Sequence, residues 1–297
     1  MMGVGRRDCD AGRRQDRGSR RLGQHAARLR ALGPEFETLA LARSLAGGLS
    51  RLLASIDEAI EARLLSIEGE RGILGPAHRA YAGHSADQNR DVWTGWDWSA
   101  RGNEWNDGAD PTAWKENLIH DVLLETIPEG GVVLEIGPGG GRWSEVLQPR
   151  ADRLVLVDVT ERALDLCRER FAGAPNVEYI LTEGGTLPTV PDGSVDSIWS
   201  FDVFVHIAPM DVASYLVEIA RVLRPGGIAL IHHSGRFSRS SGWRSPMTAR
   251  LFENLSRERG LVVERQFDSW ADGRFGVRTN GDVITVLRAP ARVPEIG

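Results

Sequence analysis

The chain has 297 residues, 41% of them apolar and 26% charged, with a formal net charge of −5 at pH 7. That length accommodates one large domain with an appendage, and the acid surplus argues against a nucleic-acid partner held by phosphate neutralisation. Cys9 and Cys167 form no CxxC or Cys/His pattern, which disfavours a zinc site and a disulfide framework alike. With no apolar run of about 18 residues, no membrane span is expected. The N-terminus also lacks the apolar stretch of a secretory signal, so the default expectation is a cytoplasmic protein.

Residues 1–33 contain nine arginines and almost no large apolar side chains. Such a stretch cannot bury enough surface to offset its ordering entropy and is expected to be a disordered extension, with a polybasic arm or transit peptide as the other reading. From Glu35 to about Gly72 the pattern turns helical, with Leu41, Leu45, Leu49, Leu52, Leu53, Ile56, Ile60, Leu64 and Ile67 at three- and four-residue steps. Gly47-Gly48 is expected to split this run in two. The stripe suits a packing face, either over the rest of the chain or against a second copy in a homodimer. Residues 73–112 are irregular and aromatic, and five of the nine tryptophans fall within 93–114. This helical, Trp-rich stretch, 34–112, is read as a cap or lid on a domain spanning 113–290.

A helix carrying Trp114, Leu118, Ile119, Val122 and Leu123 opens that domain. Beyond Gly131, apolar runs alternate with helical patterns. Strands are predicted at Val132–Ile136, Leu154–Val159, Val177–Leu181, Val195–Ser200 and Ile228–His232, and helices at about 143–148, 161–171, 210–223 and 247–259. Repeated βα units imply a parallel sheet covered on both faces. Leu261–Phe267 and Asp282–Arg288 follow as two strands without an intervening helix, an antiparallel hairpin closing the sheet. The expected fold is therefore α/β, a Rossmann-like, mostly parallel seven-stranded sheet with a C-terminal antiparallel hairpin and an N-terminal helical extension.

The chemistry concentrates where the first strand ends, at Glu135-Ile136-Gly137-Pro138-Gly139-Gly140-Gly141. Glycines there let the backbone turn sharply and approach a ligand, while the following helix points free N–H groups at it. Glu135 at the strand tip can bind an ammonium, directly or through water. The spacing departs from the dinucleotide G-x-G-x-x-G because Arg142 stands where the last glycine belongs. Asp158 ends the next strand, 21 residues beyond Gly137, and can accept from both hydroxyls of a ribose. Glu183, at the third strand tip beside Gly184, can accept from an adenine amine.

Partners for ammonium, ribose and adenine on three successive strand tips resemble the class I S-adenosylmethionine-dependent methyltransferases, from about Trp114 to Pro290. Glu135-x-Gly137-x-Gly139-x-Gly141 matches that family's first motif and Asp158 its ribose-binding acid. Asp192–Ile198 and Val222–Gly227 match the turns into its fourth and fifth strands. Glu183 departs from the commoner aspartate. The resemblance implies S-adenosyl-L-methionine as cofactor, held by Glu135, Gly137, Gly139, Gly141, Asp158, Glu183, Gly184 and Ser200.

The acceptor is less marked. The fourth strand runs on through Ser200, Asp202 and His206, and the fifth ends at His232-His233-Ser234. A hydroxyl acceptor needs its proton removed, so Asp202 and His233, with His206 in reserve, are the catalytic candidates; alternation admits only one of His232 and His233 to the ligand side. Nothing in the spacing demands a metal. The expected reaction is methyl transfer to a small molecule, a sugar or natural-product hydroxyl. An N-methyltransferase acting on a small amine, a nicotinamide-dependent oxidoreductase and a non-catalytic cofactor-binding module stand as alternatives. The tryptophans at 93–105 are read either as a lid over the cofactor or as a clasp fastening the N-terminal segment. The polar loop Gly235–Thr248 is read as acceptor-binding.

Overall fold

The structure is a computed structural model that describes residues 34–105, 110–237, 243–277 and 281–291. The expectation for residues 1–33 lies outside these. The chain divides into two units, Met1–Glu61 and Ala62–Gly297.

Helix α1, Pro34–Arg71, supplies the described part of the first unit and continues into the second. It passes through Gly47-Gly48 without a break, correcting the expected split. Both glycines have open space where a side chain would stand. The surrounding Leu, Ala, Arg and Glu are good helix formers, and they outweigh the glycines' backbone entropy. In the first unit Leu49, Leu52, Leu53, Ile56 and Ile60 are exposed.

In the second unit, the end of α1 is tied down. Leu65 is buried, Thr248 Oγ1 donates to the Gly69 carbonyl at 2.8 Å and Asn254 Nδ2 to that of Gly72 at 2.8 Å. Helix α2 is Pro76–Ala80 and α3 is Ala86–Thr94, the latter opened by a Ser85/Gln88 capping box. Helix α4, Pro111–Leu118, starts where Asp110 accepts from the Ala113 N–H. It continues through a wider turn, Ile119–Leu123, and a last turn at Leu124–Thr126.

The strands are β1 Val132–Ile136, β2 Arg153–Asp158, β3 Val177–Leu181, β4 Val195–Phe204, β5 Leu223–Ser234, β6 Val262–Phe267 and β9 Asp282–Arg288. A separate two-stranded pair, β7 Ser269–Trp270 with β8 Phe275–Gly276, lies between β6 and β9 in the chain. Helices α5 Ser144–Leu147, α6 Glu161–Arg170, α7 Pro209–Val222 and α8 Ala249–Glu258 supply the crossovers. The sheet order is β3-β2-β1-β4-β5-β9-β6. All neighbours through β5 are parallel; β9 runs antiparallel to both β5 and β6. This is the expected Rossmann-like arrangement, with β9 inserted between β5 and β6.

Alternation along β1 divides the core. Leu134 and Ile136 join the buried cluster on one face, with Val157, Ile198 and Leu216; Val133 joins the other, with Leu154, Leu156 and Trp199. Two strands run further than predicted. Leu223–Gly227, read as a turn, enters β5 as an irregularity, with Leu223 opposite Val195 and Ile228 opposite Ser197. At the far end β4 continues past Ser200 through another register shift, so that Phe204 pairs with His233. Such a bulge re-aims side chains at a strand tip, and here it carries Asp202.

Because nothing packs against Gly47 or Gly48, replacing both with alanine should stabilise α1 by about 1 kcal/mol per site. A thermal melt followed at 222 nm checks this: the G47A/G48A variant should melt higher than the parent, and an unchanged or lower midpoint contradicts a continuous helix.

Candidate active site

A cavity of about 630 Å³, within the range of small-molecule sites, opens at the carboxyl edge of the parallel strands. The backbone of Gly137–Gly140, Asp158, Val159, Gly184 and Gly185 lines one part of it. Asp202, His206, His232, Arg244 and Asp282 line another, and seven tryptophans complete the wall: 93, 96, 98, 105, 114, 143 and 243.

The glycine loop is built for close approach. Gly137 has φ +72°, and a side chain there would come within 2.4 Å of Val203. At Gly139, φ +52°, an added Cβ would lie 2.7 Å from the Trp98 ring, so the aromatic segment sits directly on the loop. Only glycine meets both demands, left-handed backbone and no side chain. Gly141 is placed differently: it faces Arg170, Phe171 and Cys167 and does not line the cavity.

The three expected carboxylates separate. Asp158 lines the cavity, with one oxygen accepting from the Thr160 N–H at 2.9 Å and from its hydroxyl at 3.0 Å. Glu135 is fully buried behind the loop, accepts the Ser144 hydroxyl at 2.6 Å, and does not line the cavity. Burial pushes its pKa up to about 8 despite the Ser144 bond, with Asp158 adding to the rise. Glu183 is exposed and off the cavity, although Gly184 and Gly185 beside it are on it. Near those glycines the cavity is lined by Asp211 and Tyr215; after burial, the negative charges of Asp158 and Asp211 both raise the Tyr215 phenol, which puts the three groups in one neighbourhood. Ser200 lies inside the sheet, where its hydroxyl donates to the Ile136 carbonyl at 2.9 Å and ties β4 to β1.

At the other end, Asp202 stands at φ +62°, a conformation that aspartate tolerates and most side chains do not. Buried Arg142 donates to its Oδ2 at 2.9 Å, and His232 Nδ1 lies 3.2 Å from its Oδ1. Burial alone would raise its pKa; His232, Arg142 and Arg244 outweigh that and bring it down to about 2. So stabilised a carboxylate is a weak base. His206 lines the cavity, with Nδ1 2.6 Å from the Trp243 carbonyl and its ring 5.2 Å from that of Trp93. Burial, then Arg244, lowers its pKa to about 3.

His233 is on the opposite side of β5. It is fully buried, stacked on Phe252 at 3.7 Å and bonded to Thr285 Oγ1 at 2.8 Å, and burial lowers its pKa to about 3. Alternation instead brings His232 to the cavity, stacked on Phe201 at 4.3 Å. Arg142, Arg244 and Asp282 line the cavity without being candidates in the sequence, and His232 takes the place expected of His233. For Asp282 a signal existed, an acid at the start of an otherwise apolar strand directly after a glycine. Arg142 had been noted only for the glycine it replaces.

Trp93, Trp96, Trp98 and Trp105 form one cluster with ring centroids 5.3 to 6.2 Å apart. They both cover the glycine loop and pack on each other, so the lid and clasp readings describe the same segment. Of the polar loop Gly235–Thr248, residues 238–242 lie outside the described set, while Trp243 and Arg244 reach the cavity. Among the described residues no cluster of three or more His, Cys, Asp or Glu could hold a metal, and no helix is long and apolar enough to cross a membrane.

A methyltransferase domain model matches residues 134–231, which span the glycine loop, Asp158, Asp202 and the start of the β5 tip. Over this region the chain is similar to S-adenosylmethionine-dependent methyltransferases. A Mycobacterium tuberculosis protein named "Probable S-adenosylmethionine-dependent methyltransferase" is 34% identical over 54% of this chain and 62% of its own length. A dimethylglycine N-methyltransferase of Parasynechococcus marenigrum is 31% identical over 50% of this chain and 54% of its own. Among solved structures, phosphoethanolamine N-methyltransferase 1 of Haemonchus contortus, in complex with phosphoethanolamine and S-adenosylhomocysteine, shares the fold. Its TM-score is 0.51 at 18% identity, over 73% of this chain and 52% of that one. The chain spans 49% and 62% of the length of the first curated relatives it matches.

Two outcomes follow from this placement. S-adenosylhomocysteine titrated calorimetrically should bind an Asp158→Asn variant at least about tenfold more weakly than the parent. Glu183→Gln should bind within about threefold of it, since that carboxylate faces solvent. The buried acid and the histidines also predict opposite pH limbs. Glu135, raised from 4.5 to about 8, contributes stability that is complete below about pH 4.5 and lost as pH rises towards 8, at about 1.4 kcal/mol per unit. His206 and His233, lowered from 6.5 to about 3, contribute stability that is complete above 6.5 and lost as pH falls towards 3. With two histidines gaining against one acid losing up to pH 6.5, the ligand-free protein should melt highest near pH 6.5, and Glu135→Gln should flatten the alkaline limb alone.

Proposed function

We propose that this chain transfers the methyl group of S-adenosylmethionine to a small-molecule acceptor, a hydroxyl of a sugar or natural product. The observation that carries this reading is one continuous cavity. It joins a glycine loop with no room for a Cβ at Gly137 or Gly139, and a ribose-suited carboxylate at Asp158, to a separate end lined by histidines, aspartates and arginines. The residues fit the donor: the loop backbone admits close approach, Asp158 offers hydrogen-bond acceptors to a diol, and tryptophan faces attract a sulfonium. The donor supplies an activated methyl group. The protein's part is then alignment, exclusion of water beneath the tryptophan segment, and handling of the acceptor's proton.

Asp202 and His206 support this reading as positioning groups. Held at about 2 and about 3, neither takes a proton readily near neutral pH, but both are pinned in place: Asp202 by Arg142, His206 by the Trp243 carbonyl. A second reading, methylation of a small amine, draws on the same tryptophan walls, which also attract an ammonium, and on the dimethylglycine N-methyltransferase among the relatives.

Calorimetry with S-adenosylhomocysteine and with NAD separates the enzyme classes. Micromolar binding of the first with none of the second is expected, and the reverse overturns the reading. Transfer of labelled methyl to an acceptor panel then distinguishes an enzyme from a binding module.

A further inference from the structure

His232 Nε2 and Asp282 Oδ1, buried on the cavity wall, have no hydrogen-bond partner among the described residues. Both residues are 2% exposed and both line the cavity. They belong to adjacent strands, β5 and β9. An unpaired buried polar atom has lost its water without replacement, so two at one place call for a ligand that completes them.

The surrounding bonds define what that ligand must be. The Asp202 backbone N–H donates to His232 Nδ1 at 3.1 Å, and a backbone amide can only donate. Nδ1 also lies 3.2 Å from Asp202 Oδ1 but without hydrogen-bond geometry, so in the neutral ring Nδ1 accepts from the amide and the proton sits on Nε2. Nε2 faces Asp282 Oδ2 across 3.7 Å, too far for a hydrogen bond. That same oxygen already accepts from Arg244 Nε at 3.1 Å, leaving Oδ1 as the unused acceptor. The unmet pair is one donor and one acceptor. A hydroxyl satisfies both at once, its oxygen accepting from Nε2–H and its hydrogen donated to Oδ1. An amine does not suffice: protonated it offers no lone pair to Nε2–H, and neutral its single lone pair cannot both accept from Nε2–H and attack the methyl group.

Charge and shape narrow the class. The two arginines are each matched by an aspartate, Arg142 by Asp202 and Arg244 by Asp282, so neither is left as counter-charge for an anionic acceptor. Aromatic side chains flank it, with Phe201 on His232 and Trp243 beside Arg244. We infer that His232 and Asp282 form the acceptor site, taking an uncharged hydroxyl on a ring, with Asp282 as the catalytic base and His232 holding the oxygen. This rests on the methyltransferase reading above and names its acceptor class. In the step, the acceptor O–H bond breaks and its proton passes to Asp282 Oδ1. The oxygen lone pair forms the O–CH3 bond as the CH3–S bond of the donor breaks, its electron pair staying on sulfur. Products are a neutral ether, S-adenosylhomocysteine and a protonated Asp282 that returns its proton to water.

The test uses the full chain with carbon-13-labelled methyl donor and three matched pairs: phenol and aniline, cyclohexanol and cyclohexylamine, methyl glucoside and its 2-amino analogue. Methylation of a hydroxyl member, and not of its amine twin, is expected. With that compound, Asp282→Asn and His232→Gln should each lower kcat about 10²- to 10⁴-fold. Each should also bind the compound at least about tenfold more weakly in the dead-end complex with S-adenosylhomocysteine, while affinity for S-adenosylhomocysteine alone stays within threefold and reports an intact fold. Preference for an amine overturns the inference, as does no turnover of any pair by a protein that binds S-adenosylhomocysteine, or an Asp282→Asn variant within threefold of the parent in kcat. A parent chain that binds no S-adenosylhomocysteine instead defeats the underlying reading.

Discussion

The crevice that holds this chemistry exists because the chain reverses its direction of winding at β1. Strands β2 and β3 are laid to one side of it and β4 and β5 to the other, so the connections leaving β1 and β4 diverge and leave space above the sheet. With both sheet faces buried under helices, the carboxyl edge is the place where polar side chains from several strands can meet a ligand. The glycine loop, Asp158, Asp202 and His232 all sit on that edge.

Burying so many ionisable groups at one edge has a cost, which the site meets by pairing. Arg142, 3% exposed, is matched to Asp202 and lies 4.2 Å over the Trp143 ring. Arg244 is matched to Asp282. Glu135 is fully buried and, among the described residues, has no basic partner within hydrogen-bonding distance; burial raises its pKa. Charge is therefore kept where it is compensated, while His232 Nε2 and Asp282 Oδ1 are left incomplete on the cavity wall.

The tryptophan segment adds a roof. Trp98 rests on Gly139 and the Arg101 backbone on Gly140, so the loop is covered by chain from outside the sheet. The four-ring cluster stiffens this cover, while Asn89 anchors it to the β4 side by donating to the His206 carbonyl at 2.8 Å. A roof fastened to both halves of the crevice can exclude water from both ends of the cavity.

Much of this was legible in advance, and the boundary has a physical reason. Hydrophobic period and glycine spacing are local properties. They sufficed for all seven strands of the main sheet, for the parallel βα frame, for the turn at Gly137–Gly139 and for Asp158, whose position is set by its distance along one βα unit. Single residues whose role depends on a neighbour from elsewhere were beyond reach. His232 and His233 are equivalent in the sequence, and only the packing of β5 between β4 and β9 turns one to the cavity and the other to Phe252. Asp202 looked like a base until Arg142 and His232 were beside it. Glu183 sits at the expected strand tip, but its loop turns it to solvent. Asp282, 80 residues after Asp202 in the chain, reaches the site because β9 inserts antiparallel beside β5. Periodicity along the chain therefore determined the frame and the cofactor loop, while contacts between distant strands decided which polar atoms face the ligand, because burial and pairing are set by the neighbours that folding brings together.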